Sequence, residues 1–127
     1  MALHPHLAPV SKFALTLPEA SRKIHGSHAQ FLVRNKTFAY FLDNHHGDGI
    51  VAISCKVLPG ENTALAQAQP RRYYLPAYIG PKGWVALRLD RGKPDWDEVR
   101  ELLLTSYMLV APKRLAASIA PSVQSET

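Results

Sequence analysis

Residues 30–43, QFLVRNKTFAYFLD, constrain the fold more than any other stretch of the chain. Two runs rich in β-branched and aromatic residues flank Asn35-Lys36, and asparagine tolerates the positive φ that a tight turn demands. The pattern predicts a β-hairpin around that dipeptide. Alternation with period two would then place Phe31, Val33, Phe38, Tyr40 and Leu42 on one face, the face that a core must cover. A sheet seeded here needs further strands and a layer of helices, and 127 residues are enough for one such domain.

The flanking segments supply those elements. PVSKFALTL (9–17) spaces Val10, Phe13, Ala14 and Leu17 as one helical face and ends at Pro18, whose ring and missing N–H do not suit a helix interior. After the polar break NHHGDG (44–49), IVAISCKV (50–57) reads as a third strand. Pro59-Gly60 opens a second helix through ENTALAQAQ (61–69), whose apolar face of Ala64, Leu65 and Ala68 is thin. YYLPAY and WVALRL are expected to form a fourth and fifth strand around Gly80-Pro81-Lys82-Gly83. Val85, Leu87 and Leu89 point to one side there, and Trp84, Ala86 and Arg88 to the other. The last helix opens at DWDE, with Asp95 as its cap and Glu98 reaching back, and runs to Pro112.

The expected fold class is therefore α+β, a single domain of order α-β-β-β-α-β-β-α with an antiparallel sheet packed on helices. Residues 1–8 are expected to form an N-terminal arm, 9–116 the domain and 117–127 a flexible C-terminal tail. No strand–helix alternation with a glycine-rich first turn occurs, which argues against a dinucleotide fold.

Composition narrows the function. With 46% hydrophobic and 20% charged residues the chain has an ordinary globular balance. No apolar run is long enough to cross a bilayer and the N-terminus lacks the features of a secretory signal, so a cytoplasmic location without membrane association is expected. The single cysteine, Cys55, excludes an intramolecular disulfide and a multi-thiolate zinc site, and reads as a small buried hydrophobe. The net charge of +5 has a single source. Between Arg71 and Lys93 six basic residues meet one acidic residue, whereas the rest of the chain carries nine of each. Such a local excess favours anionic partners.

Five segments together resemble the MmcQ/YjbR family of small bacterial proteins: LPEA (17–20), NKTFAYF (35–41), LPAYIGPKGWVALRLD (75–90), DWDEVRELLLTSY (95–107) and VAPKRL (110–115). The resemblance runs from about Val10 to Ala116. It implies a compact α+β domain with an antiparallel sheet, similar in topology to secretion chaperones, and it brings a frequent description as DNA-binding but no catalytic motif. The NHHGDG turn has no counterpart in that pattern.

Cations interleaved with aromatic rings are what nucleic-acid contact requires, because the cations displace condensed counterions while rings stack on exposed bases. The leading expectation is weak, mostly sequence-independent binding of DNA or RNA. In it the Gly80–Gly83 tip acts as a flexible wing, Arg71, Arg72, Lys82 and Arg88 contact phosphates, Tyr78 and Trp84 stack, and Lys36 adds to them from the other hairpin tip. The plainer reading is a solvated outer strand whose cations discourage edge pairing, with Trp84 sealing a seam of the core. A protein-interaction module that meets an acidic partner or a second copy of the chain is the alternative function, and an enclosed small-ligand pocket a third.

Metal and enzyme chemistry find little support. His4 and His6, His25 and His28, and His45-His46 form three pairs, but only Asp48 lies close to any of them in sequence. A metal site needs three or four converging donors, so no metal and no cofactor is expected. No nucleophile elbow, zinc-protease motif or phosphate-binding loop is present, and Asp95, Asp97, Glu98 and Glu101 read as the solvated start of a helix. The chain is expected not to be an enzyme, and no catalytic residue is assigned.

Overall fold

The structure, a computed structural model, describes residues 3–44 and 47–124. Its sheet has six strands: β1 (Ala20–His25), β2 (His28–Val33), β3 (Lys36–Asp43), β4 (Val51–Lys56), β5 (Tyr73–Tyr74) and β6 (Trp84–Arg88). They lie in the order β1-β2-β3-β4-β6-β5, and every neighbouring pair is antiparallel. Helices α1 (Leu7–Ala14), α2 (Glu61–Ala68), α3 (Trp96–Val110) and α4 (Lys113–Gln124) complete the domain. The α+β class and antiparallel sheet expected from the sequence are both present, with one more strand and one more helix than expected.

The central hairpin differs in its detail. Arg34 and Asn35, not Asn35 and Lys36, form the turn, with φ of 50° and 65°. Two successive positive φ values match the twist of a two-residue hairpin. A bulge then shifts the register between Phe31↔Ala39 and Leu32↔Thr37, leaving Phe38 as the extra residue on β3. Phe38 keeps its place in the core, but the shift changes the phase beyond it. Ala39 and Phe41 turn into the core while Tyr40 and Leu42, expected there, turn to the opposite face and are only half-buried.

The core lies between the sheet and α1 with α3. Phe31, Val33, Phe41, Ile53, Cys55, Val85 and Leu87 cover it from the strands, and Val10, Val99, Leu103 and Tyr107 from the helices. Burial pushes the Cys55 thiol well above its ordinary pKa, in keeping with a packed hydrophobe rather than a reactive group. Tyr107 spans the layers, its ring edge-on to Phe38 and its hydroxyl donating to the carbonyl of Pro18 at 2.7 Å.

Helices occupy more of both terminal segments than expected. Helix α1 begins at Leu7, which is buried, so the expected arm over 1–8 overlaps it; the helix stops at Ala14, and Leu17 is buried in the turn beyond. In place of a tail from residue 117, α4 runs on to Gln124, with Leu115 and Ile119 packed against the core. Asp95 caps α3 as predicted, accepting from the N–H groups of Asp97 and Glu98 at 3.1 and 3.3 Å. Glu98 does not reach back to close a capping box, because Arg72 and Tyr73 engage its carboxylate.

Candidate nucleic-acid interface

The expected wing is folded down. Strand β5 is only two residues long, and Gly80–Lys82 forms a 3-10 turn pinned to α2. The buried amide of Asn62 donates to the carbonyls of Gly80 at 2.8 Å and Trp84 at 3.3 Å, while the N–H of Val57 donates to Gly83 at 3.0 Å. Gly83 has φ +92°, a conformation that admits glycine and strains most other residues. A tip held by three hydrogen bonds and a buried Gly80 does not project into a groove.

Trp84 does share the side of β6 opposite Val85, but that side is covered there. Trp84 is 8% exposed with its ring 5.7 Å from that of Tyr40, so it packs the protein and offers no stacking surface. Tyr78 does the reverse. It is 87% exposed, at φ 67°, a left-handed conformation that costs a bulky residue about 1–2 kcal/mol.

The expected phosphate contacts are not gathered on one patch. Arg88 holds Asp90 in a two-pronged pair at 3.0 and 2.8 Å, and its hydrogen bond to the Asp90 carboxylate lowers that group's pKa. Arg72 pairs with Glu98 and bonds Gln69 at 2.5 Å, and its guanidinium lies 5.6 Å from the Tyr73 ring centre. Arg71, its neighbour in sequence, is exposed. Lys82 stands near the C-terminal end of α3, where it shares a recess with Leu109. From Glu98 to Leu109 the helix rises roughly 16 Å at about 1.5 Å per residue, and this length separates the two groups.

Cations do converge at the C-terminal end of α3. A recess of about 710 Å³ is lined by Lys56 and Lys82 over an apolar floor that includes Leu75, Pro76 and Leu109. Leu109 also borders a second recess of about 520 Å³, lined by Arg34, Lys36 and Lys113. Among the described residues neither lining contains a carboxylate. Arg34 is neutralised by Glu19, at 2.5 and 2.9 Å. Lys36, Lys56, Lys82 and Lys113 make no ion pair among the described residues. The two recesses, together the basic groove, meet at Leu109.

Sequence reasoning placed Lys36 and Lys82 among the candidates and missed Lys56 and Lys113. Lys56 is a lone cation closing an apolar strand, and its alternation with Cys55 and Val57 is the signal that it leaves the core face. Lys113, which in sequence simply follows the expected end of the last helix at Pro112, opens the additional helix α4.

The histidines serve other ends. His25 Nε2 lies 3.1 Å from Gln30 Oε1, and His28 Nδ1 accepts from the N–H of Asp43 at 3.2 Å. Among the described residues no three His, Cys, Asp or Glu side chains are disposed to hold a metal ion. His45 and His46 lie outside the described residues. Among the described residues, too, no helix is long and apolar enough to cross a membrane.

The YjbR family model matches residues 15–109, most of the chain and the whole sheet. The chain belongs to the YjbR family. This YjbR domain is similar to a crystal structure of the Deinococcus radiodurans protein DR2400, which carries a DUF419 domain. The TM-score is 0.66 and the identity 24%, over 81% of this chain and 76% of that one. A likeness at that identity speaks for the fold alone. No functionally curated protein matches the chain.

Proposed function

We propose that this YjbR domain is a binding protein for nucleic acid, not an enzyme, and that the basic groove at the end of α3 makes the contact. Lys36, Lys56, Lys82 and Lys113 would meet backbone phosphates, with Tyr78 offering its exposed ring to an unstacked base. The observation that carries this reading is the groove lining: among the described residues it has four lysines without an ion pair and no carboxylate, along two adjoining recesses. Phosphate contacts position a polymer without reading its sequence, so binding should be weak and mostly indifferent to sequence.

Fluorescence anisotropy with random single- and double-stranded oligonucleotides tests the reading. Four phosphates engaged at roughly −0.9 each predict a log–log salt slope of about −3.6, or a loss of about a hundredfold between about 50 and about 200 mM salt. Lys36→Glu, Lys56→Glu and Lys82→Glu together should abolish binding. Affinity that ignores salt, or that survives the triple variant, overturns the proposal.

A second reading, a protein-interaction module, draws on the groove floor. Leu75 and Leu109 are 44% and 37% exposed between the lysines, a combination that suits an acidic segment with an apolar face. Capture of an acidic amphipathic peptide by a parent chain that binds no oligonucleotide would favour it.

A further inference from the structure

The sheet face opposite α3 carries a different recess, of about 360 Å³. One cross-strand row crosses it: Tyr40 on β3 pairs with Ser54 on β4, Ser54 with Ala86 on β6, and Ala86 with Tyr74 on β5. Along this row two small residues, Ser54 in the lining and the fully buried Ala86, separate the two tyrosines. With strands about 4.8 Å apart, the tyrosine backbones stand roughly 14 Å from each other, which leaves space for a flat guest between the side chains. Pro76, Ala77 and Tyr78 border the same recess.

Ser54 gives the recess its chemistry. It is 1% exposed, it lines the recess, and its hydroxyl is the one buried side-chain polar atom among the described residues without a hydrogen-bond partner. A buried hydroxyl left unpaired costs about 1–3 kcal/mol, a cost that a guest with a donor or acceptor on its edge would relieve. Among the described residues the only charged side chain in the lining is Asp48, whose carboxylate accepts from the N–H of Ile50 at 2.9 Å. A negative guest is disfavoured there, and a neutral or weakly cationic one is not.

We propose that this recess binds a flat nitrogen heterocycle of the nucleobase class, seated between Tyr40 and Tyr74 with a polar edge on the Ser54 hydroxyl. Such a ring combines two stacking faces with edge donors and acceptors, which phenyl or aliphatic guests lack. It has two sources, a free nucleoside or an unstacked base of a strand lying in the basic groove. Pro76 borders both recesses, so a base could reach one while its phosphates occupy the other. Only in the second case does the inference rest on the proposed nucleic-acid contact.

The test is a titration of the full ¹⁵N-labelled chain with adenosine and with cytidine, followed by a short oligodeoxyadenylate and an abasic strand of equal length. Saturable shifts of the Ser54, Tyr74 and Tyr78 amides are expected with at least one nucleoside. Ser54→Ala, checked for folding by its melting curve, should weaken binding about fivefold or more, the loss of one hydrogen bond. Tyr40→Leu should weaken it further, whereas Lys56→Glu with Lys82→Glu should leave nucleoside binding unchanged. An adenylate strand binding about tenfold tighter than the abasic strand identifies the strand as the source, and equal affinities identify the free nucleoside. No saturable shift with either nucleoside, or parental affinity in both pocket variants, overturns the inference. An abasic strand that still binds with steep salt dependence would then leave the groove reading standing alone.

Discussion

The hydroxyl of Ser106, in the middle of α3, donates to the carbonyl of Phe38 at 2.6 Å and accepts from the N–H of Lys56 at 2.9 Å. One buried helix residue thereby ties the β3 bulge to the end of β4. Ser106→Ala leaves a donor and an acceptor without their partner, and a loss of about 2–4 kcal/mol is expected. Urea unfolding should show a lower midpoint at constant m-value. A loss under about 0.5 kcal/mol would contradict this role.

Ser54 behaves in the opposite sense. Its hydroxyl is buried and unpaired, so Ser54→Ala removes a desolvated polar group without breaking a bond. The variant should be more stable than the parent by about 1 kcal/mol in the absence of ligand. A clear destabilisation in the same urea experiment would mean that the hydroxyl has a partner after all.

Alkaline pH should weaken the fold. Burial, reinforced by the hydrogen bond to Glu98, raises the pKa of Tyr73; burial alone is the leading cause for Tyr74, Tyr107 and Cys55. The folded state therefore keeps protons that the unfolded chain releases near its ordinary values, about 8.5 for cysteine and about 10 for tyrosine. Stability is complete below those values and falls as pH rises through and beyond them. Chemical denaturation at intervals from about pH 8 to about pH 11 should record the decline, and Tyr73→Phe should make it shallower.

Lysines and arginines of the former wing should differ in their effect on oligonucleotide binding. Lys82→Gln removes an unpaired groove charge and should reduce the salt slope by about 1. Arg88→Gln removes a charge already matched by Asp90 and should leave the slope unchanged. Equal effects of the two in anisotropy titrations would return the interface to the strand.

Asp95→Ala should cost about 1 kcal/mol, because two N–H groups at the start of α3 lose their acceptor. Thermal unfolding by circular dichroism reads the change. Asp97→Ala, at a carboxylate mostly open to solvent, is the matched control and should shift stability by less than about 0.5 kcal/mol.

Where burial follows a simple period, the sequence was legible. Strands β4 and β6 and helix α3 carry unbroken patterns, and each formed where the residues indicated. Strand β1 was missed because only Ala20 is even half-buried: an edge strand that reads Ser-Arg-Lys-Ile-His has no apolar alternation to detect. The β3 bulge was equally hidden, since Phe38, Tyr40 and Leu42 alternate flawlessly in sequence while the inserted residue reverses the phase. Charge was the least legible property. Arg72 meets Glu98 across 26 positions, so no window along the chain could have shown that it is neutralised.

The sheet ends differently on its two sides. Strand β5 offers only two residues to a newcomer, whereas β1 offers six, and five of those are exposed. An unprotected border of that length is the usual starting point for runaway stacking of like chains, and the cationic pair Arg22 and Lys23 occupies its middle. Arg22, which also donates to the buried Ser11 hydroxyl of α1 at 3.0 Å, and Lys23 thus set like charges where a second copy of the strand would dock, and discharging both should promote ordered aggregation.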